Sequence, residues 1–340
     1  MKYQIIGEGL SAKGASQFIQ KMGDEVVSEG GDIIVISPGY PLSHPVAVEG
    51  RRLGKEIIGE MELGMRYVQN RCLAITGTNG KTTATMLTAH VLNQTGTKAR
   101  AVGNIGLPLC SYLLDPDPEE VLVVEVSSFQ IETMKTPIFA AGGITNITPD
   151  HLDRYDSYDE YAAMKYRLRH FVKGPFYQGD DLAFHLSGLS REAFVQASLD
   201  FIRPPHRIEH IKTVDGISFY NDSKGTNVDA VCYAVKALSQ PLILIVGGRD
   251  KGASYDIWNP LFENKVKRVL AIGEAAEKIQ RELKMEVELV GTLEKALEKS
   301  IAYATPGDAV LLSPGCSSFD QFENYIERGN TFKRLVEEKT

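Results

Sequence analysis

The sequence has little from which to build a metal cluster, a disulfide framework or a membrane anchor. Its 340 residues include four cysteines, Cys72, Cys110, Cys232 and Cys316, far apart and without a CxxC pair. That spacing argues against a thiolate zinc site and suits the reduced thiols of a cytosolic protein. No apolar run approaches the roughly 20 residues needed to span a bilayer, so no membrane insertion is expected. The opening Met1-Lys2-Tyr3-Gln4-Ile5-Ile6-Gly7 reads as a strand entering a glycine turn, without the apolar stretch of a signal peptide. The expected location is therefore the cytoplasm. A basic excess is also missing. The 37 Lys and Arg against 44 Asp and Glu give a formal net charge of −7, and no basic stripe is visible, which argues against nucleic acid as a partner. Internal repeats and low-complexity segments are absent.

What is present is an ordinary globular composition, 43% hydrophobic and 24% charged, in a chain long enough for two or three domains. Strand and helix patterns alternate throughout, which predicts an α/β fold. Residues 1–70 form a first small block, with strands expected at 3–7 and 32–37 and helices at 12–22 and 45–53. Residues 71–203 form a second, with strands at 73–76, 121–126 and 141–146, helices at 82–94, 158–171 and 188–201, and a loop at 173–181. The pair Pro204-Pro205 marks a boundary. Residues 204–340 then predict strands at 217–220, 242–246, 268–272, 287–290 and 309–312 with helices between them, hence a parallel sheet covered on both faces.

The most informative segment is Gly77-Thr78-Asn79-Gly80-Lys81-Thr82-Thr83, between an expected strand and an expected helix. Glycines let successive backbone N–H groups turn toward an anion, and the helix N-terminus adds partial positive charge. In such a loop Lys81 reaches the β- and γ-phosphates and the Thr82 hydroxyl meets Mg²⁺. Ile75 stands where the general GxxxxGK[ST] pattern has its first glycine. Glu125, in Glu125-Val126-Ser127-Ser128-Phe129-Gln130, follows an apolar strand, the position at which open α/β sheets bind ligands. His151 offers a neutral imidazole to a metal. Lys165, fourteen residues later, reads by spacing alone as a solvated helix lysine. His206-Arg207, Asn221-Asp222-Ser223-Lys224-Gly225-Thr226-Asn227 and Gly247-Gly248-Arg249-Asp250-Lys251 follow the proline pair or strand ends. They suit a phosphate clamp as well as they suit plain polar turns. Ser317 and Ser318 near the end of the chain suit a carboxylate site or a helix cap.

Taken together these segments resemble the Mur ligase family of peptidoglycan synthesis. The resemblance runs from about residue 33 to 334 with a gap near 172–187. It is carried by Ser37-Pro38-Gly39, Gly103-Asn104-Ile105-Gly106, the Glu125–Gln130 segment, Asp150-His151-Leu152-Asp153-Arg154, Pro205-His206-Arg207, the Asn221–Asn227 segment and Ser313-Pro314-Gly315-Cys316-Ser317-Ser318-Phe319-Asp320-Gln321-Phe322, in the family's order. The Ser-Ser-Phe-Gln and Asp-Gln-Phe segments point to the D-glutamate-adding members. The Asp-Asn-Pro-Arg motif of the diaminopimelate-adding members is absent.

The resemblance implies three consecutive α/β domains: a shortened Rossmann-like domain for a UDP-sugar, a central phosphate-loop ATPase domain, and a Rossmann-like domain for the incoming amino acid. It implies an ATP-dependent ligase, expected as a monomer, that joins D-glutamate to UDP-N-acetylmuramoyl-L-alanine through an acyl phosphate with two Mg²⁺ ions, or Mn²⁺ in their place. Gly77, Thr78, Asn79, Gly80, Lys81, Thr82 and Thr83, with Arg207, Asp222 and Lys224, would contact ATP. Thr82 and Glu125 would hold one metal ion, and His151 and a carbamylated Lys165 the other. Asn104 and His151 would lie near the diphosphate, and Leu10, Ser11 and Ser37 on the uridine side. Ser127 belongs to the substrate-binding set, and Thr226, Lys251, Ser318, Phe319 and Tyr325 would surround D-glutamate. Two departures stand out. The first block is short, and the family's Gly-x-His-Asn-x-x-Asn segment, part of the nucleotide site, is missing before residue 204. A related glutamate-adding ligase of the folylpolyglutamate type, or a catalytically weakened ligand-binding relative, therefore stay open as alternatives.

Overall fold

The computed structural model describes residues 1–151 and 154–340; Leu152 and Asp153 of the motif quoted above lie outside the described residues. The chain divides into two units, one of Met1–Pro149 with Arg154–Ile202, the other of Arg203–Thr340 with Asp150 and His151.

The first unit has two sheets. Strands β1 (Lys2–Ile6), β2 (Glu25–Val27), β3 (Ile33–Ile36) and β4 (Glu56–Gly59) pair in the order β2-β1-β3-β4, all parallel. Strands β5 (Cys72–Thr76), β6 (Ala99–Gly103), β7 (Val121–Glu125), β8 (Ala141–Ile144) and β9 (Phe176–Gln178) pair in the order β6-β7-β5-β8-β9, again all parallel. Strands β3, β5 and β7 are buried along their whole length. Hence they are runs of apolar residues rather than alternations, as parallel strands covered on both faces must be. One core joins the two sheets, with Tyr3, Phe18 and Ile58 in the same cluster as Cys72, Leu122 and Phe139.

In the second unit, strands β10 (Glu209–Val214), β11 (Ile217–Asn221), β12 (Leu242–Gly247), β13 (Val266–Ile272), β14 (Val287–Gly291) and β15 (Ala309–Leu312) pair in the order β10-β11-β15-β12-β13-β14. A separate apolar cluster covers each face. Trp258, fully buried, donates its indole N–H to the Val228 carbonyl at 2.8 Å.

Four expectations need correction. The wholly parallel third sheet has an antiparallel edge, because β10 and β11 form a hairpin. Its two-residue turn, Asp215-Gly216, has positive φ at both positions, 49° and 78°, a combination that Asp-Gly tolerates well. The expected loop at 173–181 contains β9. This short strand lies against Gly143, where an added Cβ would come within 2.4 Å of the Tyr177 carbonyl oxygen. The expected helix at 188–201 is shorter, Arg191–Ser198, and a separate helix that was not expected, Leu182–Ser187, precedes it. Gly188, in the left-handed conformation, ends the earlier one, and the Ser190 hydroxyl caps the later one. The helix expected over 158–171 tightens after Tyr166 into a 3₁₀ turn, Arg167–Phe171.

Candidate functional site

Strand β5 lies at the centre of its sheet and delivers the chain into the glycine loop at its carboxyl end. Gly77 has φ +146° there, and a Cβ would lie 1.9 Å from the Thr145 hydroxyl, so no other residue fits. Gly80, at φ 80°, precedes the helix Lys81–Gln94. The loop is tied to the segment after β8. The Thr78 N–H donates to the Asn146 carbonyl at 2.8 Å and the Asn79 N–H to Asn146 Oδ1 at 3.0 Å. The Thr145 hydroxyl donates to the Asn79 carbonyl at 2.7 Å, and the Thr78 hydroxyl lies 3.0 Å from the Tyr161 hydroxyl. This frame fixes the loop's shape before any ligand arrives.

Three expected residues meet at the mouth. The Thr82 hydroxyl donates to Glu125 Oε2 at 2.6 Å, and Asn104 Nδ2 donates to Glu125 Oε1 at 3.0 Å. Glu125 itself is 2% exposed. Lys81 Nζ donates to the Thr78 carbonyl at 2.8 Å. Lys165, also 2% exposed, donates to the Gly77 carbonyl at 2.7 Å and lies over the Tyr161 ring. Among the described residues no three His, Cys, Asp or Glu side chains gather as a metal cage. A hydroxyl beside one carboxylate nevertheless fits Mg²⁺ in its usual mode, in which phosphate oxygens supply further ligands. A metal role for Lys165 would require its carbamylation, since the ammonium has no lone pair to give.

Leu10, Ser11 and Ser37 lie just past the carboxyl ends of the neighbouring strands β1 and β3, where open α/β sheets bind ligands. Ser127 forms a capping box with Gln130 at the helix Ser128–Ile131. Phe129 stacks on Tyr155 and carries the Arg154 guanidinium 4.3 Å above its ring.

In the second unit the Lys224 ammonium lies 3.9 Å from the centre of the Tyr325 ring. Asp222 is buried, accepting from the Ser313 hydroxyl at 2.7 Å and the Ile208 N–H at 3.2 Å. Burial pushes its carboxyl up to about 7 despite those donors. His151 and Asp150 belong to this unit. Lys251 Nζ is 3.6 Å from Asp150 Oδ1, and Asn227 donates to Asp150 Oδ2 at 3.2 Å. Burial raises the Asp150 carboxyl, but Lys251, His151 and Asn227 outweigh it and hold the group below its ordinary value. Ser318 is buried and Phe319 is 61% exposed. Arg207 follows His206, whose φ is +64°, and Thr226 sits in the turn before the helix Val228–Ala237. Of the expected residues, the structure brings together Thr82, Glu125 and Asn104, and Lys224 with Tyr325. Within either unit it does not assemble His151 with Lys165, which belong to different units.

Several residues at these sites escaped the sequence reading. Thr145 and Tyr161 support the loop but carry no motif. Arg328, 1% exposed, donates to the Ser223 hydroxyl at 3.0 Å and to the Ser223 and Cys316 carbonyls, although in sequence it is one arginine in a charged helix. Glu60 accepts from the Cys110 N–H at 2.6 Å, its other oxygen has no hydrogen-bond partner among the described residues, and burial pushes it up to about 7.

A glycine loop shaped to wrap an oligophosphate, with an acid and a hydroxyl bonded to each other at its mouth, places the chain among α/β phosphate-loop enzymes. The comparisons with known proteins narrow the class. The Mur ligase middle domain matches residues 75–184, and the Mur ligase glutamate ligase domain matches residues 206–316. The UDP-N-acetylmuramoylalanine--D-glutamate ligase of Protochlamydia amoebophila is 39% identical over 369 residues, 90% of this chain and 83% of that protein. The enzyme of the same name from Acidobacterium capsulatum is 38% identical over 378 residues, covering 90% and 82%. Among solved structures, a pseudomurein peptide ligase type C from Methanothermus fervidus shares the fold, with a TM-score of 0.63 at 15% identity over the whole of both chains. The chain belongs to the Mur ligase family and is an ATP-dependent, amide-forming ligase.

Proposed function

We propose that this ligase adds D-glutamate to UDP-N-acetylmuramoyl-L-alanine in the cytoplasm, with residues 1–70 taking the UDP-sugar, 71–203 ATP and 204–340 the amino acid. The observation that carries the reading is the Thr82–Glu125–Asn104 cluster at the mouth of the phosphate loop. The names of the relatives support the substrates.

A carboxylate is a poor electrophile, so the substrate carboxylate oxygen first attacks the γ-phosphorus of ATP and ADP departs. Lys81 exchanges the Thr78 carbonyl for a phosphate oxygen and offsets the charge spread over the phosphoryl group. The loop N–H groups hold the other phosphates in line. Mg²⁺ held by Thr82 and Glu125 would supply further charge neutralisation at the phosphates. The amine of D-glutamate then attacks the acyl carbon, the carbon–oxygen bond to phosphate breaks, and phosphate leaves. Arg207, Asp222 and Lys224 are assigned to ATP, and Thr226, Lys251, Ser318, Phe319 and Tyr325 to D-glutamate. Leu10, Ser11 and Ser37 are assigned to the uridine side, and Ser127 to the substrate. A second ion is assigned to His151 and carbamylated Lys165.

Phosphate release from ATP should require both the UDP-sugar and D-glutamate. Binding of the UDP-sugar without any release would overturn this reading in favour of a weakened binding relative. The absent Gly-x-His-Asn-x-x-Asn segment motivates that second outcome.

A further inference from the structure

We infer that the first unit carries a second anion site, separate from the phosphate loop, that takes a small phosphorylated molecule. The site is an open cleft of about 310 Å³ beside β4, the edge strand of the four-stranded sheet. Four cations line it: Arg51, Lys55, Lys135 and Arg167. They come from separate places in the chain, namely the last turn of the helix Pro45–Arg52, the residue before β4, the segment after the helix Ser128–Ile131, and the start of the 3₁₀ turn.

Charge accounting distinguishes this cleft from an ordinary salted surface. Among the described residues its lining carboxylates are Glu56 and Glu132. Each is paired with an arginine outside the lining, but Arg66 is shared with the buried Glu62 at 2.9 Å. Lys135 therefore completes the balance at Glu56, and the excess positive charge rests on Arg51, Lys55 and Arg167. Arg66 grips both oxygens of Glu56 at 2.6 and 3.0 Å. Arg154 meets Glu132 at 2.6 Å, and the Tyr155 hydroxyl adds a bond at 2.9 Å. Lys135 shares Glu56 at 2.9 Å. The other cations have only weak or neutral partners. Arg51 donates to the Leu42 and Ala47 carbonyls, Arg167 to the Met164 sulfur at 3.5 Å, and the Lys55 ammonium has no hydrogen-bond or ion-pair partner among the described residues. Positive charge thus faces the cleft in a chain whose formal net charge is −7.

The chemistry selects the ligand class. Guanidinium groups match the planar faces of phosphate oxygens, and lysines add point charge. The volume is near the lower end of small-molecule sites, enough for a phosphorylated metabolite and too small for a large cofactor. None of the lining residues belongs to the Gly77–Thr83 loop. Glu132 lines this cleft and also a neighbouring pocket with Ser37 and Phe129.

Calorimetric titration of the full chain with inorganic pyrophosphate tests the assignment. Wild type should show two binding events. Lys81→Ala should keep one of them. Adding Lys55→Glu and Arg167→Glu to Lys81→Ala should weaken that remaining event by about tenfold or more, because two of four cations become repulsive. The milder pair Lys55→Gln and Arg167→Gln should weaken it less, and thermal melts of each variant establish folding. A Lys81→Ala protein with no residual binding, or residual binding unchanged in folded charge-reversed variants, would overturn the site.

Discussion

The two units use their buried polar groups in opposite ways. In the first, Thr82 and Asn104 both donate to Glu125 at the carboxyl ends of the strands, so the groups that would meet a ligand are partners of Glu125 meanwhile. In the second, Ser223 and Arg328 bond to each other and to Tyr325 and Cys316 and hold loops in place. Phe319 and the Lys224–Tyr325 pair are left nearer the surface. A polar residue in a ligand loop is therefore not by itself a ligand contact. Substitutions at the mouth of the first unit should strike chemistry before fold, and those beneath the loops of the second should strike fold before chemistry.

Lys81→Ala gives the largest expected effect in the first unit. Phosphate release should fall by about 10³-fold or more, equivalent to about 4 kcal/mol of transition-state stabilisation, with an unchanged melting temperature. Steady-state phosphate assays and a thermal melt decide it, and a fully active variant would sink the role of the loop. Arg328→Ala should do the reverse. It leaves buried carbonyls and the Ser223 hydroxyl without donors, and losses of about 3–5 kcal/mol are typical when a buried charged network is broken. Denaturant unfolding should show that loss. Normal stability with abolished activity would instead make Arg328 a direct ligand group and erase the contrast between the units.

The pH dependence sharpens the comparison, because each unit has a buried acid raised to about 7: Glu60 in the first and Asp222 in the second. Their ordinary values are 4.5 and 3.8, so the folded state holds the proton more tightly than the unfolded chain. Stability from these groups is complete below the unfolded values and is lost as pH rises toward 7. At roughly 1.4 kcal/mol per unit, the loss is on the order of 3 kcal/mol for Glu60 and 4 kcal/mol for Asp222. Glu60→Gln should flatten this decline for the first unit and Asp222→Asn for the second. Melts taken from pH 4.5 to 8 that slope identically in wild type and both variants would contradict the burial argument. The smallest effect is expected for Ser127→Ala, which removes one half of a capping box and should cost about 1 kcal/mol. A large rise in KM for the UDP-sugar, at that modest stability cost, would show that Ser127 also touches substrate.

The parts of the fold and site that were legible in sequence are those governed by local constraints. The phosphate loop is one, since Gly77 and Gly80 are required by backbone angles and by the nearby Thr145 hydroxyl. Glu125 was less legible, since an acid after an apolar strand reads by itself as a solvated loop residue, and only the segments around it gave it a role. The Asp215-Gly216 hairpin was equally local and was overlooked, because the regular alternation of strands and helices around it suggested parallel pairing alone. The helix Leu182–Ser187 was overlooked because six residues are too few for a helical period to show. What sequence does not reveal is tertiary pairing. Nothing in the helix Tyr325–Lys339 marks Arg328 as its buried arginine, and nothing in Tyr161 announces the Thr78 hydroxyl as its partner. Strand β9 has three residues, too few for any period to show.

The central claim is an acyl phosphate formed at the phosphate loop, and the fate of one oxygen tests it most directly. UDP-N-acetylmuramoyl-L-alanine labelled with oxygen-18 in its carboxylate is supplied with ATP, Mg²⁺ and D-glutamate, and the released phosphate is analysed by mass spectrometry. If the carboxylate attacks the γ-phosphorus, each amide formed releases one phosphate carrying one labelled oxygen. Amide formed at the same yield with unlabelled phosphate would contradict the account.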